Sequence, residues 1–122
     1  MRYMLLCYDD EQAWEKVGQA ALTAAMDKAV ELTQELHAKG QYVLAAPLQP
    51  ASTATSVRLR NGKPFATDGP FVETREVLGG FYLIEAQSIE VAIGIASRHP
   101  GLRFGGVEIR PVMEIDGLPT SS

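Results

Sequence analysis

The chain has one cysteine, Cys7, so it can form no internal disulfide and no CxxC metal or redox motif. It has two histidines, His37 and His99, neither with a companion at ligand spacing, and no metal centre is expected. A Gly-rich phosphate loop, a GxSxG elbow and an HExxH string are all missing, so no cofactor is expected either. Positive charge is scarce: 11 Lys and Arg against 15 Asp and Glu give a net charge of -4. Nucleic-acid binders need a basic footprint and anionic membranes a polybasic patch, and both classes of partner are excluded. No apolar run approaches the ~20 residues of a membrane span. After Met1-Arg2 the apolar stretch soon meets Asp9-Asp10-Glu11, which does not read as a signal peptide, and the expected location is the cytoplasm.

What is present is ordinary for a globular protein: 122 residues, 46% hydrophobic and 21% charged. The length suits one domain, 1–122, with a core over about 2–115 and a tail over 116–122. Tyr3 to Tyr8 reads as a strand. Leu22, Met26, Ala29, Leu32 and Leu36 recur at helical spacing, and Lys39-Gly40 ends that helix. The helix is expected to begin after Gly18, leaving 9–18 as a loop that carries Trp14. Strands follow at 42–46 and 53–60, then an Asn61-Gly62 hairpin turn and a return strand at 63–67. A central strand is expected at 78–85, a second helix capped by Ser88 and running to about Arg98, and a last strand at 106–115. There Val107, Ile109 and Met113 face one way, Glu108, Arg110 and Glu114 the other. This order predicts an α+β, ferredoxin-like βαββαβ sandwich with an extra β-hairpin, its antiparallel sheet carrying two helices on one face.

Two helices cover one face, yet the first and central strands are apolar on both. Tyr3/Leu5/Cys7 backs onto Met4/Leu6/Tyr8, and Phe81/Leu83 onto Tyr82/Ile84. An open antiparallel face normally alternates with polar residues. A second copy of the sheet would cover it, giving a homodimer with a barrel-like core.

Few side chains stand out as chemistry. Cys7, inside an apolar strand, reads as a small buried hydrophobe. Trp14 reads as packing or as a pocket lid. His99, before Pro100, is either a helix-terminus residue or an acid–base group. In Thr67-Asp68-Gly69-Pro70-Phe71, Asp68 either closes an Asx-type turn or presents a rigid carboxylate for proton transfer. Glu108 and Arg110 share a strand face, where Arg110 is placed to hold an anionic ligand.

Leu48-Gln49-Pro50, Thr53-Ala54-Thr55, the Asp68 string with Glu73-Thr74, Leu78-Gly79-Gly80-Phe81-Tyr82 and Val107-Glu108-Ile109-Arg110-Pro111 stand in order. Together they resemble the DGPF-motif branch of the YCII-related family, over almost the whole chain. The resemblance implies a ferredoxin-like fold and a homodimer of the dimeric α+β barrel type. A YCII-type relative is a dehydrochlorinase for which a His–Asp pair has been proposed as acid–base machinery. Carried onto this chain, the idea makes Asp68 and His99 candidate catalytic residues, with Trp14, Glu108 and Arg110 as candidate substrate-binding groups. Two functions follow as expectations: a cofactor-free acid–base enzyme on a small polar or aromatic metabolite, or a non-catalytic ligand-binding module. DGPF-branch genes often neighbour sigma factors, so the second reading includes a sigma factor as protein partner.

Overall fold

The computed structural model describes residues 1–119; residues 120–122 of the expected tail lie outside them. Strand β1 (Arg2–Asp9) is followed by helices α1 (Glu11–Val17) and α2 (Gln19–Ala38), then β2 (Tyr42–Pro47). A hairpin of β3 (Thr55–Arg60) and β4 (Lys63–Asp68) leads to β5 (Val77–Glu85). Helix α3 (Ile89–Ala96), a 3-10 turn (Pro100–Phe104) and β6 (Gly105–Pro111) complete the fold. The four long-range strands form one antiparallel sheet in the order β2-β5-β1-β6. Without the hairpin this is the ferredoxin-like arrangement, a mixed α+β fold with helices on one face.

Period-two alternation explains the core. Tyr3, Leu5 and Cys7 of β1 and Tyr82 and Ile84 of β5 point under the helices and are buried with Leu32, Leu36, Ala92, Ile95 and Ala96. Leu5, Leu36 and Ile84 are the largest fully buried side chains. The opposite face presents Met4, Leu6 and Tyr8 beside Phe81 and Leu83, all only half-buried. Its β6 partners are polar, with Met4 opposite Arg110 and Leu6 opposite Glu108.

Residues 9–18 are not the expected loop, and the described residues form three α-helices rather than two. Asp10 N-caps α1, its Oδ1 accepting from Gln12 N at 3.0 Å and Ala13 N at 3.2 Å. Gly18, at φ 92, then breaks the chain between α1 and α2. The last strand also ends earlier than its alternation suggests. Val112 N still donates to Arg2 O at 2.9 Å, but β1, the partner strand, begins at Arg2, and Met113 lies beyond the strand, 77% exposed.

The hairpin forms a separate two-stranded sheet, with Asn61 and Gly62 both at positive φ (52 and 77) as its turn requires. Its root is tied to the body where Leu48 N donates to Gly79 O at 2.8 Å and Ala51 N to Glu11 Oε2 at 3.1 Å.

Candidate functional site

Helix α2 uses its apolar face in two ways. Its C-terminal half, through Leu32 and Leu36, packs on the sheet. A neighbouring stripe, Leu22, Ala25, Met26, Ala29, Val30 and Thr33, stands over a cavity of about 250 Å³. The sheet contributes Cys7, Ala45 and Tyr82, and Asp9, Trp14 and His99 also line the space. Met26 and Val30 line this space while about half exposed (45% and 54%), so the rim is apolar. A second concavity is larger but an open groove, running past Tyr8, Arg75 and Glu108 on the other side of β1. Enclosure and titratable groups mark the first as the candidate site.

Asp9 extends the alternation of Tyr3, Leu5 and Cys7 by one step, which turns it toward the helices. Trp14 Nε1 donates to Asp9 Oδ2 at 3.0 Å, and the indole is braced edge-on by Phe104 with centroids 4.9 Å apart. Burial pushes the Asp9 carboxyl above its usual range, the Trp14 bond opposes this, and the nearby Glu11, Asp10 and Glu76 charges add to the rise. His99 Nδ1 is 2.8 Å from the Tyr82 hydroxyl, with the two rings edge to face. Burial holds the imidazole below its usual pKa, so it is neutral at physiological pH. Burial, with a smaller contribution from Cys7, pushes Tyr82 up to about 12. Cys7, pushed up to about 12 by burial and then by Asp9, stays a thiol.

Glycine makes room for both titratable groups. The register passes from Cys7 opposite Gly80 to Tyr8 opposite Leu78, so Gly79 is an extra, bulged residue. A Cβ on Gly79 would lie 2.9 Å from Asp9 Oδ1, and one on Gly101 would overlap His99 Nε2.

Of the five residues singled out in the sequence, the structure brings two together: Trp14 and His99 line the same cavity. Asp68 ends β4 opposite Thr55, exposed, and lines neither concavity. Among the described residues no donor reaches its carboxylate. What anchors its string is Gly69, whose N donates to Ala54 O at 2.7 Å and whose O accepts from Ser56 Oγ at 2.6 Å. Glu108 and Arg110 pair with each other at 3.1 Å on the exposed sheet face, with Glu108 edging the open groove. Asp9 and Tyr82 were not singled out. The signal for Asp9 was its place in the alternation of β1, and the Gly79-Gly80 pair beside it marks a close approach to the backbone.

The model of the YCII-related domain matches residues 1–116. The chain belongs to that family. An uncharacterized protein of Rhizobium meliloti (strain 1021) is 35% identical to this YCII-related chain over 121 residues, spanning 92% of each. Among solved structures, the chain is similar to 5-chloro-2-hydroxyhydroquinone dehydrochlorinase (TftG) from Burkholderia phenoliruptrix AC1100, in complex with 2,5-dihydroxybenzoquinone. That likeness has a TM-score of 0.52 at 13% identity and covers 93% of this chain and 94% of the other. At such identity it speaks for the fold. Among the described residues of this YCII-related protein, no group of three or more His, Cys, Asp or Glu could hold a metal ion. Nor, among the described residues, is any helix long and apolar enough to cross a membrane.

Proposed function

We propose that this protein is an acid–base enzyme working on a small molecule in the cavity under α2, with Asp9 and His99 as its titrating groups. One observation carries the reading: a carboxyl raised and an imidazole lowered by burial line one enclosed space. Both displacements favour the neutral form: the carboxyl moves toward the pH at which general acids and bases work best, and the imidazole stays unprotonated and able to accept a proton. Asp9 takes the carboxylate role that the Asp68 motif suggested, since Asp68 shares no cavity with His99.

Tyr82 sets what His99 offers. When Nδ1 carries the proton and the phenol oxygen accepts it, Nε2 is a base; when the phenol donates, Nε2–H is an acid. Gly101, having no side chain, leaves that edge of the ring the room it occupies. Trp14 fixes Asp9 from one side and leaves Oδ1 without a protein donor among the described residues. A substrate proton passing to one group and a proton delivered by the other is the chemistry this pair can perform. Loss of HCl from a hydroxylated chloro-aromatic, the reaction in the name of the structural neighbour, is one such reaction.

Two further parts of the reading are supported by sequence pattern. The ordered motif strings support the DGPF branch. The half-buried row Met4, Leu6, Phe81 and Leu83 supports a homodimer through the open sheet face, with a total interface upwards of ~2,000 Å².

The deciding experiment is chloride release from 5-chloro-2-hydroxyhydroquinone by purified protein. Turnover should fall by ~100-fold or more in Asp9→Asn and in His99→Asn, with folding intact by circular dichroism. Turnover untouched by both changes refutes the assignment. Ligand binding without turnover on a panel of such substrates leaves the non-catalytic reading.

A further inference from the structure

The wall of the cavity carries a single formal charge, and it is negative. Asp9 supplies it; no Lys or Arg lines the space. The remaining polar groups are neutral: the hydroxyls of Thr33, Tyr42 and Tyr82, and the His99 imidazole. The cations around it are engaged elsewhere: Arg75 on Asp10 at 2.8 Å, Arg98, next to His99 in the chain, on Glu35, and Arg103 over the Phe104 ring at 4.8 Å. An anion entering would lose water and meet a half-buried carboxylate with no compensating cation, where screening is weaker than in bulk water.

Size narrows the class again. At about 250 Å³ the space is below the roughly 300–1,000 Å³ of drug-sized sites, yet above the ~150 Å³ that holds benzene. Trp14 bonds Oδ2 of Asp9, while Oδ1 lies where a Gly79 side chain would be and accepts from no donor among the described residues. A ligand donor is the natural partner for that oxygen.

We propose that the cavity takes a neutral, single-ring molecule that donates a hydrogen bond to Asp9, and that it rejects carboxylates and phosphate esters of similar size. This rests on the placement of the site under α2, though it does not require turnover. Trp14 is the only tryptophan and touches Asp9, so its fluorescence reports binding directly.

The test is a fluorescence titration of the full chain with hydroquinone, anisole, benzoate and benzylammonium. Hydroquinone should bind about tenfold or more tightly than anisole, which lacks the donor, and than benzoate, which adds the charge. Asp9→Asn should narrow the gap to benzoate. Benzoate equal to or tighter than hydroquinone overturns the proposal, as do equal affinity for anisole, tightest binding of benzylammonium, and no binding of any probe. Should the variant fold poorly, the wild-type ranking alone decides. Selective binding without chloride release retires the enzyme and keeps this inference; chloride release without the ranking does the reverse.

Discussion

Replacing Gly101 by Ala is the sharpest probe of how the site is built. A Cβ there overlaps His99 Nε2, and the ring cannot yield freely because Nδ1 is held 2.8 Å from the Tyr82 hydroxyl. The ring must rotate and leave that phenol, on a side chain only 5% exposed, without its partner. An unsatisfied buried hydroxyl costs about 1–3 kcal/mol, partly offset by the ~0.4–1 kcal/mol that Gly→Ala gains through the unfolded chain. The net loss is about 1–2 kcal/mol, a fall in Tm of roughly 3–10 °C for a domain of this size. Differential scanning calorimetry reads the Tm. An NMR pH titration of the His99 ring protons reads the site, and the lowered imidazole pKa should return toward its ordinary value as the ring swings toward water. An unchanged Tm together with an unchanged His99 titration would refute the reasoning, because the ring would then not be wedged between Gly101 and Tyr82.

Asp9→Asn should raise the Tm at neutral pH, because the folded state raises the carboxyl pKa and so disfavours the charge; the gain should fade as pH drops through that raised value. His99 acts with the opposite sign. Its folded pKa is below the ordinary 6.5, so the unfolded chain binds the extra proton and stability falls as pH drops from about 6.5 through the lowered value; a urea series should show His99→Phe losing this sensitivity. Leu36→Ala, at a position 1% exposed, should cost about 2–5 kcal/mol in urea unfolding. Light scattering should give a dimer at micromolar concentration, and Leu6→Asp on the open face should disrupt it; a stable wild-type monomer would refute the homodimer.

Much of this protein was legible without coordinates because the information was local. The 3.6 and 2.0 periods, the Asn61-Gly62 turn and the Ser88 cap are properties of neighbouring residues. They gave the antiparallel α+β sheet and its hairpin, and the ordered motif strings gave the YCII-related family. Where local signals competed, the reading slipped. Asp9-Asp10 looks like the end of a strand and the start of a loop. In the structure Asp9 is the last inward residue of β1 and Asp10 caps a helix. Likewise the alternation of 106–115 runs on past Val112, although the ladder stops there because β1 begins at Arg2.

The pairing of chemical groups was decided by tertiary structure alone. Asp9 lies on β1, Trp14 on α1, Tyr82 on β5 and His99 after α3, and no spacing in the sequence relates them. They share a cavity because β5 lies beside β1, because the stripe of α2 from Leu22 to Thr33 stands off the sheet on which Leu32 and Leu36 pack, and because Gly79 and Gly101 leave space where side chains would fill it. Burial in that space then displaces both pKa values, an effect no single residue carries with it. Asp68, in the most unusual string, stands exposed on the hairpin, where Gly69 and not the carboxylate makes the bonds that hold the turn. The sequence determined the elements and the family, because neighbouring residues suffice for both; the tertiary structure decided which carboxylate shares a cavity with the histidine, because that depends on strand order and on empty volume.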